Sequence, residues 1–205
     1  MPATTPSNDE QHVLRLARAH KLLRARDVSR QGVPTIALTR LVQAGKLERV
    51  ARGIYSLPGA TMSEHRSLAE AAIRVPKGVV CLLSALRVHE IGTQAPFEVW
   101  LAIPQRMVTP RVDQPALRVV RMSDAALADG VARIKVDGVQ VQVFNAAKTV
   151  VDCFKCRYKI GLDVGLEALR DGWAKRKFTI DALWRHANAN RVANVMRPYI
   201  EVITA

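Results

Sequence analysis

Residues 34–58 read PTIALTRLVQAGKLERVARGIYSLP, and this stretch restricts the fold more than any other. A short helical pattern runs into a glycine, then a basic strand, an Arg-Gly turn and a second short strand. A recognition helix followed by a β-hairpin wing is how a winged helix-turn-helix ends, so DNA is the first partner to consider. Residues 61–205 exceed what a simple DNA-binding module needs.

The flanking sequence supplies the rest of such a module. Residues 1–8 (MPATTPSN) read as a disordered arm. Asn8 or Asp9 is placed to cap a first helix over residues 10–20, with Val13, Leu14, Leu16 and Ala17 as its apolar stripe. A second helix is expected over 25–30 with Val28 inward, ending at Gly32. Pro34 falls in the first turn of a third helix that runs to Ala44, and Gly45 is a natural residue to end it.

At 100° per residue, Ala37, Leu38, Leu41 and Val42 share the face that packs on the other helices. Ile36, Thr39, Arg40 and Gln43 take the opposite face, with Thr35 at its edge. Thr, Arg and Gln hydrogen-bond base edges or phosphates. Ile36 is the anomaly there, fitting either a thymine methyl or a seal over the helix start. In the wing, Leu47 and Val50 belong to one strand and Ile54, Tyr55 and Leu57 to the other, so Lys46, Arg49 and Arg52 project towards phosphate or the minor groove. A small hairpin with solvated basic residues is the alternative.

Charge agrees with a polyanionic partner. Lys and Arg number 31 against 18 acidic residues, a formal charge of +13, and phosphates reward cations by releasing counterions. Ribosomal and membrane-surface proteins share such an excess. Residues 1–60 hold ten basic and four acidic residues, +6, whereas 61–205 hold twenty-one and fourteen, +7 over more than twice the length. The pattern predicts two domains, 1–60 and 61–205. The polar N-terminus has no signal-peptide pattern, no apolar run nears the ~20 residues of a membrane span, and three cysteines are too few for a disulfide framework. A cytoplasmic protein is expected.

Beyond the wing, a helix is expected over 63–75, ended by Pro76-Lys77-Gly78, then a buried strand over 79–82. Ser84 reads as the cap of a helix stopping at Gly92. Strands follow over 97–103 and 117–122, then a hairpin pairing 132–136 with 139–144 through Asp137 and Gly138. Helices are expected over 146–158, 164–175 and 180–190, with a last segment to Ile203. The fold class is therefore α/β (α+β), with a mixed or mainly antiparallel sheet and a helical C-terminal part.

Chemistry-bearing groups are sparse. Cys153 and Cys156 form a C-x-x-C inside a helix, where small buried thiols are the plainer reading than zinc or redox chemistry. Ser84 and His89 stand about 140° apart on a helix, too far round to act as nucleophile and base. Asn145 is placed to cap a helix carrying Lys148 and Asp152 at ion-pair spacing, more suited to fixing the helix than to catalysis. Lys155, Arg157 and Lys159, and then Lys175, Arg176 and Lys177, either stabilise helix ends or form a second nucleic-acid surface, one for RNA. No catalytic residue, metal site or cofactor is expected.

Segments LVQAGKLERVARGIYSLPG, VVCLLSALRVHEIG, VWLAIP, IKVDGVQVQVFNAAKTVVDCF and RPYIEVI follow one another in an order that resembles the AbiEi family of antitoxins from bacterial type IV toxin–antitoxin systems. The resemblance implies a winged-helix domain repressing its own operon at inverted repeats. It also implies a C-terminal antitoxin domain counteracting a nucleotidyltransferase-fold toxin without a stable complex. It assigns DNA contact to Arg40, Gln43, Lys46, Arg49 and Arg52, and supplies no catalytic residue. Two copies would meet an inverted repeat. Other readings are a winged-helix nuclease, for which acidic Mg²⁺ motifs are missing, and a plain regulator whose second domain senses a ligand or dimerises.

Overall fold

The computed structural model describes residues 8–60 and 63–204 and divides into two compact units. The first comprises residues up to Ala69 together with Lys135–Gln140; the second comprises Glu70–Ile134 and Val141–Ala205. The disordered arm expected over residues 1–8 lies, apart from Asn8, outside the described residues.

The first unit runs α1 (Asn8–Ala19), β1 (Leu23–Arg24), α2 (Ala25–Arg30), α3 (Ile36–Gln43), β2 (Glu48–Ala51) and β3 (Ile54–Ser56). Val13 and Ala17 of α1, Val28 of α2 and Ala37, Leu38 and Leu41 of α3 bury together in one apolar core with Leu23, Val33 and Leu47. Asn8 and Asp9 lie within α1, so neither is its cap. Pro34 precedes the cap residue Thr35 of α3, and its carbonyl accepts from Ala37 N at 3.1 Å. The three strands order as β1-β3-β2, antiparallel throughout. β1 has no sequence signal of its own; it exists because Leu23 and Arg24 pair with Tyr55 and Ile54. At the 137–138 turn, Asp137 accepts from Ser63 N and Oγ (3.2 and 3.0 Å) and pairs with Lys21 at 3.6 Å.

After α4 (Arg66–Arg74), the second unit runs β4 (Val79–Val80), α5 (Leu82–Val88), β5 (Val99–Pro104), β6 (Leu117–Met122), α6 (Asp124–Ala128), β7 (Val131–Val136) and β8 (Val139–Phe144). It closes with α7 (Ala146–Lys155), α8 (Arg157–Ile160), α9 (Leu162–Ala174), α10 (Ile180–Ala189) and α11 (Ala193–Thr204). The five-stranded sheet orders β6-β5-β4-β8-β7. β4 pairs antiparallel with β5 and parallel with β8, and β5 pairs parallel with β6, so the sheet is mixed. Trp100, Val120 and Met122 from its strands meet Leu86, Phe154, Leu169, Leu183 and Met196 from the helices in one core.

Helix α7 is the centre of this unit, buried at every position from Ala146 to Phe154. A helix enclosed all round must satisfy its own polar side chains. Asn145 Oδ1 caps it by accepting from Lys148 N at 2.8 Å, and Thr149 Oγ1 donates to Phe144 O at 3.2 Å.

Several local expectations shift. The strand expected over 79–82 stops at Val80, because Leu82, at φ 45°, already opens α5. Ser84 is therefore inside α5 and caps nothing. Its buried Oγ instead accepts from Trp100 N at 2.9 Å, tying the helix to β5. Phe97, expected in a strand, precedes β5 and is 93% exposed. The helix expected to run through Tyr158 caps at Cys156 and restarts as α8. Helices α5, α9 and α10 end in a recurrent pair of backbone bonds closed by a non-glycine residue in the left-handed region: Glu90 (φ 57°), Arg176 (φ 53°) and Arg191 (φ 58°).

Candidate nucleic-acid interface

The third helix is held by its apolar side and by its end. Ala37, Leu38 and Leu41 are at most 3% exposed, which fixes its rotation about its own axis. Gly45, at φ 65°, sends its N–H to Val42 O, and Lys46 sends its N–H to Leu41 O, at 3.0 and 2.9 Å. This pair of bonds satisfies the last carbonyls and turns the chain straight into the wing. With that face committed, Thr35, Ile36, Thr39, Arg40 and Gln43 are all exposed. Ile36 is 54% exposed, so it does not seal the helix start. An apolar side chain left in solvent amid polar ones suits a thymine methyl.

The wing carries Lys46, Arg49 and Arg52, each exposed. Its register shifts between Arg49 and Ala51, opposite Tyr55 and Ile54 respectively, leaving Val50 as an extra residue in β2. Such a bulge increases strand twist and re-aims neighbouring side chains. Arg52 and Gly53 make the turn, with Gly53 at φ 72°. All eight positions singled out in the sequence are thus solvent-facing parts of one short segment, α3 and the strands that follow it.

Other cations in this unit are partly neutralised. Asp27 stands 3.6, 3.8 and 3.9 Å from Arg24, Arg26 and Arg30. His12 links Gln31 and Arg15 through its two ring nitrogens, both at 2.9 Å. Nothing in the order of residues connects these, because they come together only when α1 and α2 pack.

The C-terminal basic residues fall into two separate settings. Lys175 donates to Asp171 Oδ2 and Glu90 O, both at 2.8 Å, and Lys177 pairs with Glu90 at 3.1 Å. Those two cations close the end of α9 onto the turn after α5, leaving Arg176 exposed. Lys155 donates to Asn190 Oδ1 at 3.2 Å, and Arg157 to Phe154 O and Tyr158 Oη at 3.0 and 2.9 Å, while Lys159 is exposed. Lys155 and Lys175 border different cavities with no lining residue in common.

Lys148 and Asp152 form the expected pair, with both side chains at 0% exposure, so no substrate reaches them. The Lys148 ammonium also sits 4.7 Å from the Phe144 ring centre. Burial raises the Asp152 pKa against the opposing pull of Lys148, and Asp152 Oδ2 has no hydrogen-bond partner among the described residues. Burial also raises the thiol pKa values of Cys81, Cys153 and Cys156, opposite to what a reactive thiol needs. His89 Nε2 lies 2.7 Å from Phe144 O, a contact to β8 that makes it a packing residue rather than a partner of Ser84.

A three-helix unit with an exposed polar third helix and a basic hairpin defines a winged helix-turn-helix, set here before a mixed α/β unit. Residues 11–58, the winged-helix segment, match the family model described as "Transcriptional regulator, AbiEi antitoxin". Among solved structures, the chain is similar to the RV2827C protein of Mycobacterium tuberculosis at 15% identity and a TM-score of 0.57, over 90% of this chain and 72% of that one. That likeness is one of fold. No curated protein sequence matches the chain. Among the described residues no helix is long and apolar enough to cross a membrane.

Proposed function

We propose that this protein is the autorepressor and antitoxin of a type IV toxin–antitoxin system. It acts in the cytoplasm, binds inverted repeats in its own operator as two copies, and opposes a nucleotidyltransferase-like toxin without a stable complex. The observation that carries the DNA-binding part is the division of α3: its apolar face is committed to the core while Ile36, Thr39, Arg40 and Gln43 face solvent beside a basic wing. Base reading falls to α3 and phosphate anchoring to Lys46, Arg49 and Arg52. Neutralisation falls to the second unit, and no catalytic role is assigned to any residue.

Titration of the full chain against its upstream DNA tests this. Arg40→Ala should weaken specific binding by about 1–3 kcal/mol if the guanidinium makes a bidentate base contact. Arg52→Ala should weaken binding to all sequences alike. Equal operator affinity for wild type and both variants would sink the assignment. Co-expression with the toxin encoded next to it tests the antitoxin part: Arg40→Ala should still restore growth, and a wild-type chain that fails to do so overturns that part.

A further inference from the structure

A cavity of about 430 Å³ opens between α6, α7 and α10 in the second unit. Its polar walls are unusually well fixed. Asp129 is 2.8 Å from Nδ1 of His186, a histidine only 1% exposed. Asn190, 7% exposed, donates to His186 O at 2.9 Å and accepts from Lys155 at 3.2 Å. A carboxylate and an ammonium are therefore both positioned by α10, one through His186 and the other through Asn190 one turn later. No ion pair joins Asp129 to Lys155.

Arg191 completes the lining. Its backbone takes φ 58°, a conformation that disfavours arginine. Its guanidinium makes no hydrogen bond or ion pair among the described residues. That backbone closes α10 as Glu90 and Arg176 close α5 and α9, so what Arg191 offers a ligand is its unpartnered cation at the cavity wall.

The donor and acceptor inventory narrows that ligand's chemistry. Lys155 and Arg191 only donate and carry charge, so they call for an acceptor-rich anion such as a phosphate. Asp129 only accepts when ionised, so it calls for a hydroxyl or amine. Ala125, Ala126 and Ala189 add a wall of methyl groups that suits a flat ring. A cavity of this size takes a small organic molecule.

We propose that this cavity binds a ribonucleoside monophosphate, with the phosphate on Lys155 and Arg191, a ribose hydroxyl on Asp129 and the base against the alanines. The antitoxin unit then carries a small-molecule input of its own.

Calorimetric titration of the full chain with AMP, GMP, CMP, UMP and inorganic phosphate tests the proposal. At least one nucleotide should bind one to one at sub-millimolar concentration, and inorganic phosphate at least tenfold more weakly. Asparagine tolerates the left-handed backbone, so Arg191→Asn removes the charge without a new strain. Arg191→Asn and Lys155→Gln should each weaken binding roughly tenfold, the loss of one charge-assisted contact, with no fall in the thermal midpoint. Arg52→Ala in the wing should leave nucleotide binding as it was. Absence of saturable nucleotide binding, phosphate binding as tightly as nucleotide, or loss of binding with Arg52→Ala but with neither cavity variant would each overturn the proposal.

Discussion

Lys148 is a fully enclosed lysine whose ammonium meets one carboxylate oxygen and one aromatic ring. Removing only the cation leaves Asp152 buried without compensation, a change that costs about 3–5 kcal/mol. Lys148→Met should therefore lower the urea midpoint sharply, and Lys148→Met with Asp152→Leu should recover most of the loss. If the double variant is no better than the single one, the pair contributes more than mutual neutralisation. The i,i+4 spacing was legible in the sequence; complete burial was not, because lysine is so rarely enclosed. His89 gives a pH prediction. Burial, aided by the charge of Lys177, holds its pKa below the ordinary 6.5, against the pull of the Phe144 carbonyl. The unfolded chain then takes up the proton more readily, so this contribution to stability is present above pH 6.5 and is lost as pH falls through that value towards the lower folded one. Denaturation at pH 7.5 and 5.5 should show a smaller drop for His89→Gln, which keeps a donor for Phe144 O.

Two helix ends were legible in the sequence. Gly45 and Asn145 were both readable as terminators from residue type and position, and both act through local backbone bonds. Asn145→Ala should destabilise by about 1 kcal/mol, with Asn145→Asp restoring the cap; equal stability of all three proteins by chemical denaturation would remove the cap from the account. Gly45→Ala should cost a similar ~1 kcal/mol through its left-handed backbone and weaken operator binding by misplacing the wing. The elements that escaped notice depend on partners distant in sequence. β1 needs β3. The start of α5 is set by Cys81 N donating to Trp100 O at 3.0 Å, and Ser84 resembled a cap only because that bond is invisible in the chain. In the interface, the exposed set on α3 followed from periodicity alone, whereas the Val50 bulge is a property of pairing with β3 and left no mark on composition.

Over the whole molecule, the formal charge of +13 makes operator affinity a function of salt. If Lys46, Arg49 and Arg52 each neutralise one phosphate, a rise from 50 to 200 mM salt should weaken binding by roughly 40-fold per bound copy. Arg52→Ala should lower the logarithmic slope by about 0.9. A steeper wild-type slope would mean that further cations reach the phosphates; a flat one would remove the wing from the phosphate contacts. The richer charge density of residues 1–60 was plain in the sequence. The assignment of Lys135–Gln140 to the first unit was not, since an Asp-Gly turn announces a hairpin but not its company.

The left-handed residues that close α5, α9 and α10 set a trap for protein engineering. Glycine in place of Glu90, Arg176 or Arg191 would relieve about 1 kcal/mol of backbone strain at each position. A directed-evolution library scored only for heat tolerance would enrich all three replacements. Each enriched clone would discard a charged side chain, and the one losing Arg191 would lose a cation from the proposed nucleotide pocket. Such a campaign would yield a sturdier protein that holds the proposed nucleotide roughly tenfold more weakly, with nothing in the heat screen to reveal the change.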